Sequence, residues 1–395
     1  MEGWVPALVK RRYRLAILVS HPVPYHVPLY RTLAAHPAVD LTVWFCSRLG
    51  LTDQVDPEFG VPLKRDPSLL NGYRHRFLRN LSPLRTPGYF WGLINPGILP
   101  ALFSEHYDAV LVHGYTHATD WLGFLAAWIS GTPVFLRGET VLKKEPSWSL
   151  QVLAKKILLR GTRACLAVGT PSRLFYRAYR VPENKVFFSP YGVDNDFFIR
   201  ESRLWGARRT DLKRELGIAP EIPVILFCGK LVPRKRPQDL LSAFEKLSQP
   251  AALLFVGEGS LRPSLEQRAR GRSDVLFAGL VDQREIPKYY AIADVFVLPS
   301  EREVTPLVVN EAMACGLPVV LSDAIPSAVD FVKQGENGFS FPLGDIQALS
   351  SFLDCLLRDE DLRRRMGRKS MEWVRAWNPE AAAEGIVQAL SATCA

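Results

Sequence analysis

Short apolar runs alternate along the first half of the chain with stretches that have the spacing of helices. Runs of this length and composition are typical of strands buried on both faces of a parallel sheet. A strand–helix–strand beginning favours a doubly wound sheet, because crossover helices then cover both of its faces. The predicted strands of this half are Arg14–Ser20, Val39–Cys46, Ala109–His113, Pro133–Leu136, Cys165–Val168 and Val186–Ser189.

The same pattern starts again in the second half, after the turn-rich run PYGVDNDFF. Because 395 residues suit two domains of about 200 residues each, the pattern predicts an α/β protein with two Rossmann-like, doubly wound domains. We place the domains at residues 1–198 and 199–395. The strands predicted for the second half lie in PVILFCGK, ALLFVGEG, VLFAGLV, VFVL and PVVL.

The stretch from residue 294 to 323 reads as strand, polar loop, buried helix and strand. Thr305 and Pro306 predict the helix start, with Thr305 as the cap and Pro306 at the first helical position. Glu303 lies in the loop and Glu311 in the apolar helix, with the free amides of the helix start between them. Two carboxylates and free amides suit a sugar joined to a phosphate. The alternative is that Glu303 is a solvated loop acid and Glu311 a helix glutamate at a surface seam.

A basic loop follows the strand Val224–Cys228. Gly229 lets the backbone approach a ligand closely, and Lys230 and Lys235 belong to a group of four cations within the next seven residues. Cations at this position would stabilise the charge that develops on a leaving diphosphate. A basic surface loop is the alternative interpretation.

The spacing from Glu303 to Glu311, followed by AMACGLPVV, resembles the signature of retaining GT-B glycosyltransferases of family 4. This resemblance implies that Glu303 contacts the donor sugar, that Glu311 contacts the nucleotide ribose and that Lys230 takes the place of a family arginine. It also implies a ligand held in a cleft between the two domains and a last helix, Pro379–Leu390, that crosses back to the first. Many members have glycine at the position of Pro306, and asparagine at that of Tyr191. On this basis the predicted donor-binding residues are Glu311, Gly229, Gly279, Thr305, Pro306 and Leu307.

Polar residues follow three strands of the first half, at the edge where open α/β sheets bind ligands. We predict His113 as a catalytic residue beside Glu303, Lys235 and Lys230, and we place His26, Arg137 and Glu139 on the acceptor side. Two alternatives stay open here. His113 could be satisfied by backbone groups, and the charged pair could form a salt bridge with itself.

Positive charge is concentrated in the first half. Residues 1–195 hold 23 of the 49 Lys and Arg residues but only 13 of the 40 Asp and Glu residues, which points to an anionic surface or acceptor. The Pro- and Arg-rich stretch from 53 to 100 predicts a long ordered excursion with acceptor contacts. Residues 147–166 predict a helix with Leu150, Leu153 and Ile157 on one side and Lys156, Arg160 and Arg163 on the other. That helix could lie on an anionic membrane or have a merely solvated charged face.

These observations predict a retaining hexosyltransferase with a nucleoside-diphosphate sugar as donor and a glycan or lipid-linked acceptor. We expect no metal, no cofactor and no nucleic-acid partner, since no motif for them accompanies the charge. The six dispersed cysteines and the absence of a signal peptide or a long apolar segment favour a cytoplasmic protein, with an anionic membrane surface as a possible partner. The alternatives are a nucleotide-sugar epimerase and a non-catalytic sugar-nucleotide-binding protein.

Overall fold

The computed structural model describes residues 11–51, 54–55, 62–63, 66–142 and 149–394. The chain divides into two compact units. The first unit holds the described residues up to Gln54, then Leu63–Pro190 and the residues from Pro379 on, whereas the second is built on Tyr191–Asn378. The sequence prediction put the boundary after residue 198. No helix of the described part is long and apolar enough to cross a membrane.

The first unit contains a seven-stranded sheet in the order β5–β2–β1–β6–β7–β8–β9, and all its strand pairs are parallel. Strand β1 (Tyr13–Val19) is apolar almost throughout, and both of its faces are buried. The chain passes from β1 to β2 on one side and later to β6 on the other, which makes the carboxyl ends of β1 and β6 the topological switch point. The seven strands are β1 (Tyr13–Val19), β2 (Val39–Phe45), β5 (Arg74–Phe77), β6 (Ala109–His113), β7 (Val134–Arg137), β8 (Ala164–Ala167) and β9 (Val186–Phe188). A separate two-stranded sheet consists of β3 (Gln54–Val55) and β4 (Pro62–Leu63).

Helices cover both faces of this sheet, in two hydrophobic clusters. They are α1 (Val27–Ala35), α2 (Ile98–Ser104), α3 (Ala118–Ser130), α4 (Leu150–Gly161) and α5 (Thr170–Ala178), with short 3₁₀ turns at Pro24–His26, Pro67–Leu70, Phe90–Gly92 and Glu183–Lys185.

The second unit repeats the plan with six parallel strands in the order β12–β11–β10–β13–β14–β15. Its switch point lies between β10 and β13, because the chain first builds outward through β11 and β12 and then crosses to β13. The strands are β10 (Val224–Cys228), β11 (Ala252–Val256), β12 (Val275–Gly279), β13 (Val295–Leu298), β14 (Val319–Ser322) and β15 (Gly338–Phe341).

A single large hydrophobic cluster joins this sheet to its helices. The helices are α6 (Asn195–Gly206), α7 (Arg209–Glu215), α8 (Pro237–Phe244), α9 (Arg262–Arg268), α10 (Pro287–Ile292), α11 (Leu307–Ala314), α12 (Ala328–Phe331), α13 (Ile346–Arg358) and α14 (Glu360–Val374), with a 3₁₀ turn at Pro233–Lys235.

The last helix, α15 (Pro379–Thr393), is part of the first unit. Its apolar side packs in the cluster with β1 and α1, and Ile386 and Leu390 are fully buried there. Gly385 permits a close approach to β9, since a Cβ at this position would lie 1.8 Å from the carbonyl oxygen of Phe188. Larger residues cannot fit here without moving backbone.

The predicted fold class, two parallel doubly wound sheets, is confirmed, but two local predictions need correction. The excursion from 53 to 100, parts of which lie outside the described residues, supplies the edge strand β5 to the main sheet. The helix predicted over residues 147–166 is described only as Leu150–Gly161, and residues 164–167 are strand β8. The apolar side of that helix, Leu150, Leu153 and Ile157, is exposed.

Candidate functional site

The switch point of the second sheet brings together the loops that follow β10 and β13. Gly229 directly follows β10 with a φ of +148°, a conformation that only glycine adopts readily. The loop after β11 packs tightly on it, because a Cβ on Gly257 would come within 2.0 Å of the Gly229 carbonyl oxygen. Two bare backbone segments therefore lie side by side at this edge, where a phosphate could contact amides closely.

A buried ion pair links the two loops. Lys235 is 7% exposed, and its Nζ lies 2.7 Å from Oε1 of Glu303. Arg234 approaches the same oxygen at 2.7 Å. Burial lowers the pKa of Lys235, and the carboxylate of Glu303 opposes that shift. The basic loop and the first glutamate, predicted separately from the sequence, thus form one charged cluster.

Two further predicted site residues, Lys230 and Gly279, lie at the ends of β10 and β12. Lys230 is half-buried directly after Gly229. Gly279 ends β12 with a φ of +72°, and its carbonyl accepts a hydrogen bond from the amide of Gly257 at 2.8 Å. Gly279 therefore supports the loop after β11, and its direct contact with a donor stays a prediction.

The start of α11 differs from the predicted cap. The helix begins at Leu307 and its N-cap residue is Pro306, which forms no side-chain capping bond, so Thr305 is not the cap. The amides of Leu307 and Val308 precede the first intrahelical bond, from Val309 to Pro306. These amides lie in the sequence between Glu303 and Glu311, as expected for a phosphate site.

Glu311 is buried inside α11 at 7% exposure. The hydroxyl of Tyr290 donates to its Oε2 at 2.7 Å. Burial raises the pKa of Glu311 to about 7, and the hydrogen bond from Tyr290 counteracts part of that shift. Sequence reasoning missed Tyr290, since nothing in the local sequence of α10 indicates a partner 21 positions away.

Two histidines meet at the switch point of the first sheet. The rings of His26 and His113 lie 4.6 Å apart, and the hydroxyl of Tyr30 is 3.3 Å from Nδ1 of His26. Burial lowers the pKa of both imidazoles well below the ordinary value, so both are neutral at pH 7. Nε2 of His113 is buried and has no hydrogen-bond partner within the residues that the structure describes. A buried polar atom of this kind is an expected contact for a ligand.

Arg137 and Glu139 occupy different environments, although they are two residues apart. Arg137 is 1% exposed and donates to the carbonyl oxygens of Ser189 and Pro190, whereas Glu139 is exposed. The hydroxyl of Ser189 in turn donates to the carbonyl of Ala382 on α15. Arg137 therefore stabilises the segment after β9, which in turn contacts α15. The acceptor contacts of Arg137 and Glu139 remain predictions.

A cavity of about 680 Å³ opens beyond the ends of β2 and β5, at the same edge as the histidines. Asn95 fixes its walls, since its amide donates to the carbonyls of Cys46 and Leu78 at 2.9 Å each. Sequence reasoning placed acceptor contacts in this part of the chain without naming residues. Three arginines line the cavity: Arg48, Arg79 and Arg85. In the described part of the chain, no carboxylate lines it.

Across the described ranges, no group of three or more His, Cys, Asp or Glu residues is arranged to hold a metal ion. All six cysteines are free thiols.

Two doubly wound parallel sheets, with a basic loop and paired glutamates at the second switch point, define the GT-B class of fold. Residues 208–373, which contain both glutamates and both lysines, match the family model described as glycosyl transferases group 1. The resemblance to GT-B glycosyltransferases predicted from the sequence is thereby confirmed.

Individual relatives agree with the family match. The chain is 36% identical over 169 residues to the sulfoquinovosyl transferase SQD2 of Arabidopsis thaliana. The matched region covers 42% of this chain and 33% of that protein. It is 32% identical over 216 residues to a D-inositol 3-phosphate glycosyltransferase of Xylanimonas cellulosilytica, which covers 52% of each. The matches thus span a third to about half the length of these relatives.

A solved structure extends the likeness to the whole fold. HepE of Anabaena in complex with UDP superimposes with a TM-score of 0.72, covering 96% of this chain and 99% of that one at 17% identity. At this identity the likeness shows the fold alone.

Proposed function

We propose that this protein is a retaining glycosyltransferase that moves a hexose from a nucleoside-diphosphate sugar to a glycan or lipid-linked acceptor. The observation that carries the proposal is the buried Lys235–Glu303 pair beside Gly229. The relatives named above act as glycosyl-transferring enzymes, and HepE binds UDP, which supports a sugar nucleotide as the donor.

The donor would be held by the second unit. Glu311, pre-positioned by Tyr290, would accept hydrogen bonds from the ribose hydroxyls, and the amides of Leu307 and Val308 would bind the diphosphate. Lys235 would stabilise the negative charge that develops on the leaving diphosphate, and Lys230 would add to it. Arg234 and Lys235 both contact Oε1 of Glu303. The carboxylate of Glu303 would accept a hydrogen bond from a hydroxyl of the transferred sugar.

The acceptor would be held by the first unit. Arginine is well suited to carboxylates and phosphates, because its planar group binds them with two parallel hydrogen bonds. The three arginines around the 680 Å³ cavity therefore favour an acceptor that carries negative charge. His26 and His113 remain our proposed contacts for the acceptor and for the reacting groups.

We also propose that the reaction needs no metal and no further cofactor. The protein would be cytoplasmic and peripheral on the inner face of the membrane. Lys235 and Lys230 would then neutralise the diphosphate in place of a divalent cation.

The test is a transfer assay with uridine, guanosine and adenosine diphosphate hexoses, with and without chelator. We expect release of one nucleoside diphosphate that depends on acceptor, persists in chelator and yields a product with the anomeric configuration of the donor. Exchange between epimers of the nucleotide sugar without net transfer would contradict the proposal, as would inversion of the anomeric centre. A chain that binds donor but never releases diphosphate with any acceptor would point to a non-catalytic protein.

A further inference from the structure

A second basic cavity lies at the opposite edge of the first sheet from His26 and His113. Helices α4 and α5 each run from the carboxyl end of one strand to the amino end of the next, so their last residues lie at the amino edge. A cavity of about 600 Å³ is formed there by the end of α4, the end of α5 and the loop that follows. Its charged lining residues, in the described part of the chain, are all cations: Lys156, Arg160, Arg180 and Lys185.

Among the residues that the structure describes, no carboxylate neutralises the cations of this cavity. Lys185 donates to the carbonyl oxygen of Thr162 at 3.4 Å. Within the described ranges, no carboxylate forms an ion pair with the other three. The nearby Glu183 is paired with Arg173 instead, at 3.1 Å. Converging like charges repel one another, so an anionic ligand would complement this cavity.

The backbone of Arg180 is in a conformation that favours glycine. Its φ is +57°, and its amide donates to the carbonyl of Arg177 at 2.9 Å while Val181 bonds back to Tyr176. This left-handed turn closes α5 in the way that a glycine normally does. A bulky residue in this region is strained, and such strain is concentrated at functional sites. The arginine at this position adds a cation to the cavity despite that cost.

Helix α4 presents an apolar surface next to the cavity. Leu150, Leu153 and Ile157 are 77%, 48% and 53% exposed, and the helix is anchored instead through the buried Leu158 and Leu159. Spacings of three and four residues place the exposed apolar side chains on one stripe. Lys156 and Arg160 lie on the same exposed face, next to that stripe.

The apolar surface continues toward α3. The indole nitrogen of Trp128 donates to the carbonyl of Gly161 at 3.0 Å and so ties the end of α3 to the end of α4. Leu125 and Ile129 on α3 are also exposed. An apolar stripe bordered by basic residues is the pattern of a helix that lies in the interface of an anionic membrane.

We propose that this face docks on an anionic membrane, with a phospholipid phosphate in the basic cavity and the stripe Leu150, Leu153 and Ile157 inserted among the headgroups. Charge complementarity carries the choice of occupant, because four cations in one cavity match a surface of phosphates. The inference deepens the peripheral location that the proposed function includes. Vesicle binding is measured apart from glycosyl transfer, so the failure of one is distinguishable from the failure of the other.

The experiment is flotation of the full chain with vesicles of phosphatidylcholine alone or mixed with phosphatidylglycerol, over a range of salt. We expect binding to the anionic vesicles that weakens as salt rises, and little binding to the neutral ones. Arg180→Gly should weaken vesicle binding about fivefold, the effect of one basic residue near an anionic surface. This variant also relieves the left-handed turn, so its melting temperature should not fall.

Lys246→Gly is the charge-matched control. Lys246 is exposed, lies in a turn of the second unit and lines neither of the two basic cavities. The control variant should bind vesicles like the unmodified chain. An equal loss of vesicle binding in the control and in Arg180→Gly would contradict the assignment of the phospholipid phosphate to the basic cavity. Leu153→Gln keeps the charge and should weaken binding too, so unchanged binding would overturn insertion of the stripe.

A soluble probe separates a membrane from a free phosphate ester. Glycerol 3-phosphate should compete with vesicles only at concentrations far above those of the lipid. Tight binding of glycerol 3-phosphate that requires Arg180, with no vesicle binding, would overturn the membrane as the occupant. Absence of binding to both, or equal binding to neutral and anionic vesicles, would overturn the proposal as a whole.

Discussion

Lys235 is the side chain on which the proposed chemistry depends most. Its burial and its pairing with Glu303 hold the ammonium rigidly at the carboxyl end of β10. Lys235→Ala should therefore lower turnover by several-fold to ~10³-fold, the range for a group that stabilises developing oxyanion charge. Lys246→Ala is the control, since Lys246 is an exposed lysine of the same unit. Steady-state kinetics with both variants would measure this, and normal turnover of a folded Lys235→Ala enzyme would refute the assignment.

If Glu311 contacts the ribose as proposed, its raised pKa should make nucleotide binding sensitive to pH. A carboxylate accepts hydrogen bonds from two ribose hydroxyls, whereas the protonated acid accepts fewer. Because burial raises the pKa to about 7, the affinity for nucleoside diphosphate should fall as the pH decreases through 7. Calorimetric titrations at a series of pH values would show the midpoint.

Tyr290→Phe separates this carboxyl from other titrating groups. The Tyr290 hydroxyl lowers the pKa of Glu311, so its removal should move the midpoint to higher pH and weaken binding at pH 7. Tyr289→Phe, at a neighbouring tyrosine of α10, should leave the midpoint unchanged. A midpoint that is the same in all three proteins would mean that Glu311 does not control binding.

At the scale of elements, the proposed function gives the two glutamates of the β13–α11 segment different roles. Glu311→Gln should weaken binding of nucleoside diphosphate, because the amide loses one acceptor for the ribose diol. Glu303→Gln should bind the diphosphate almost normally and reduce transfer, since its proposed contact is with the sugar. Dissociation constants and turnover numbers for both variants would test this division. Two variants with the same profile would show that the roles are not separate.

The docking of α15 on the first unit depends on Gly385. A Cβ there would overlap the Phe188 carbonyl, so Gly385→Ala should destabilise the unit by about 1–3 kcal/mol and lower its melting temperature by several degrees. Gly206→Ala, in α6, is the control, because a Cβ at that position meets nothing within 4 Å. Thermal unfolding of both variants measures the difference. Equal melting temperatures would mean that α15 does not pack on β9 as described.

At the scale of the whole molecule, the sequence predicted most of the two sheets. Strands buried on both faces must be apolar throughout, so runs such as Val224–Cys228 are visible without any knowledge of their neighbours. Strand β5 was missed, because its sequence, RHRF, is partly exposed at the sheet edge and has no such run. The carboxyl-edge location of the basic loop and of His113 followed from strand order alone.

Side-chain partners were harder to predict than positions. The Tyr290–Glu311 bond depends on how α10 packs against α11, which sequence spacing does not determine. The exposed stripe on α4 also shows that sequence periodicity does not determine side-chain environments. Periodicity indicated that Leu150, Leu153 and Ile157 share a face, but only the packing of Leu158 and Leu159 shows that this face is outside.

The most direct test of a sugar-nucleotide site is a thermal-shift titration with uridine, guanosine and adenosine diphosphates and with the matching nucleosides. A ligand that binds the folded chain stabilises it, by about 2.7 kcal/mol at a hundred times its dissociation constant. We predict that one diphosphate raises the melting temperature and that its nucleoside does so much less, because Lys235, Lys230 and the amides of α11 would bind the phosphates. If no diphosphate shifts the melting temperature, or if the nucleoside shifts it as much, the central claim is wrong.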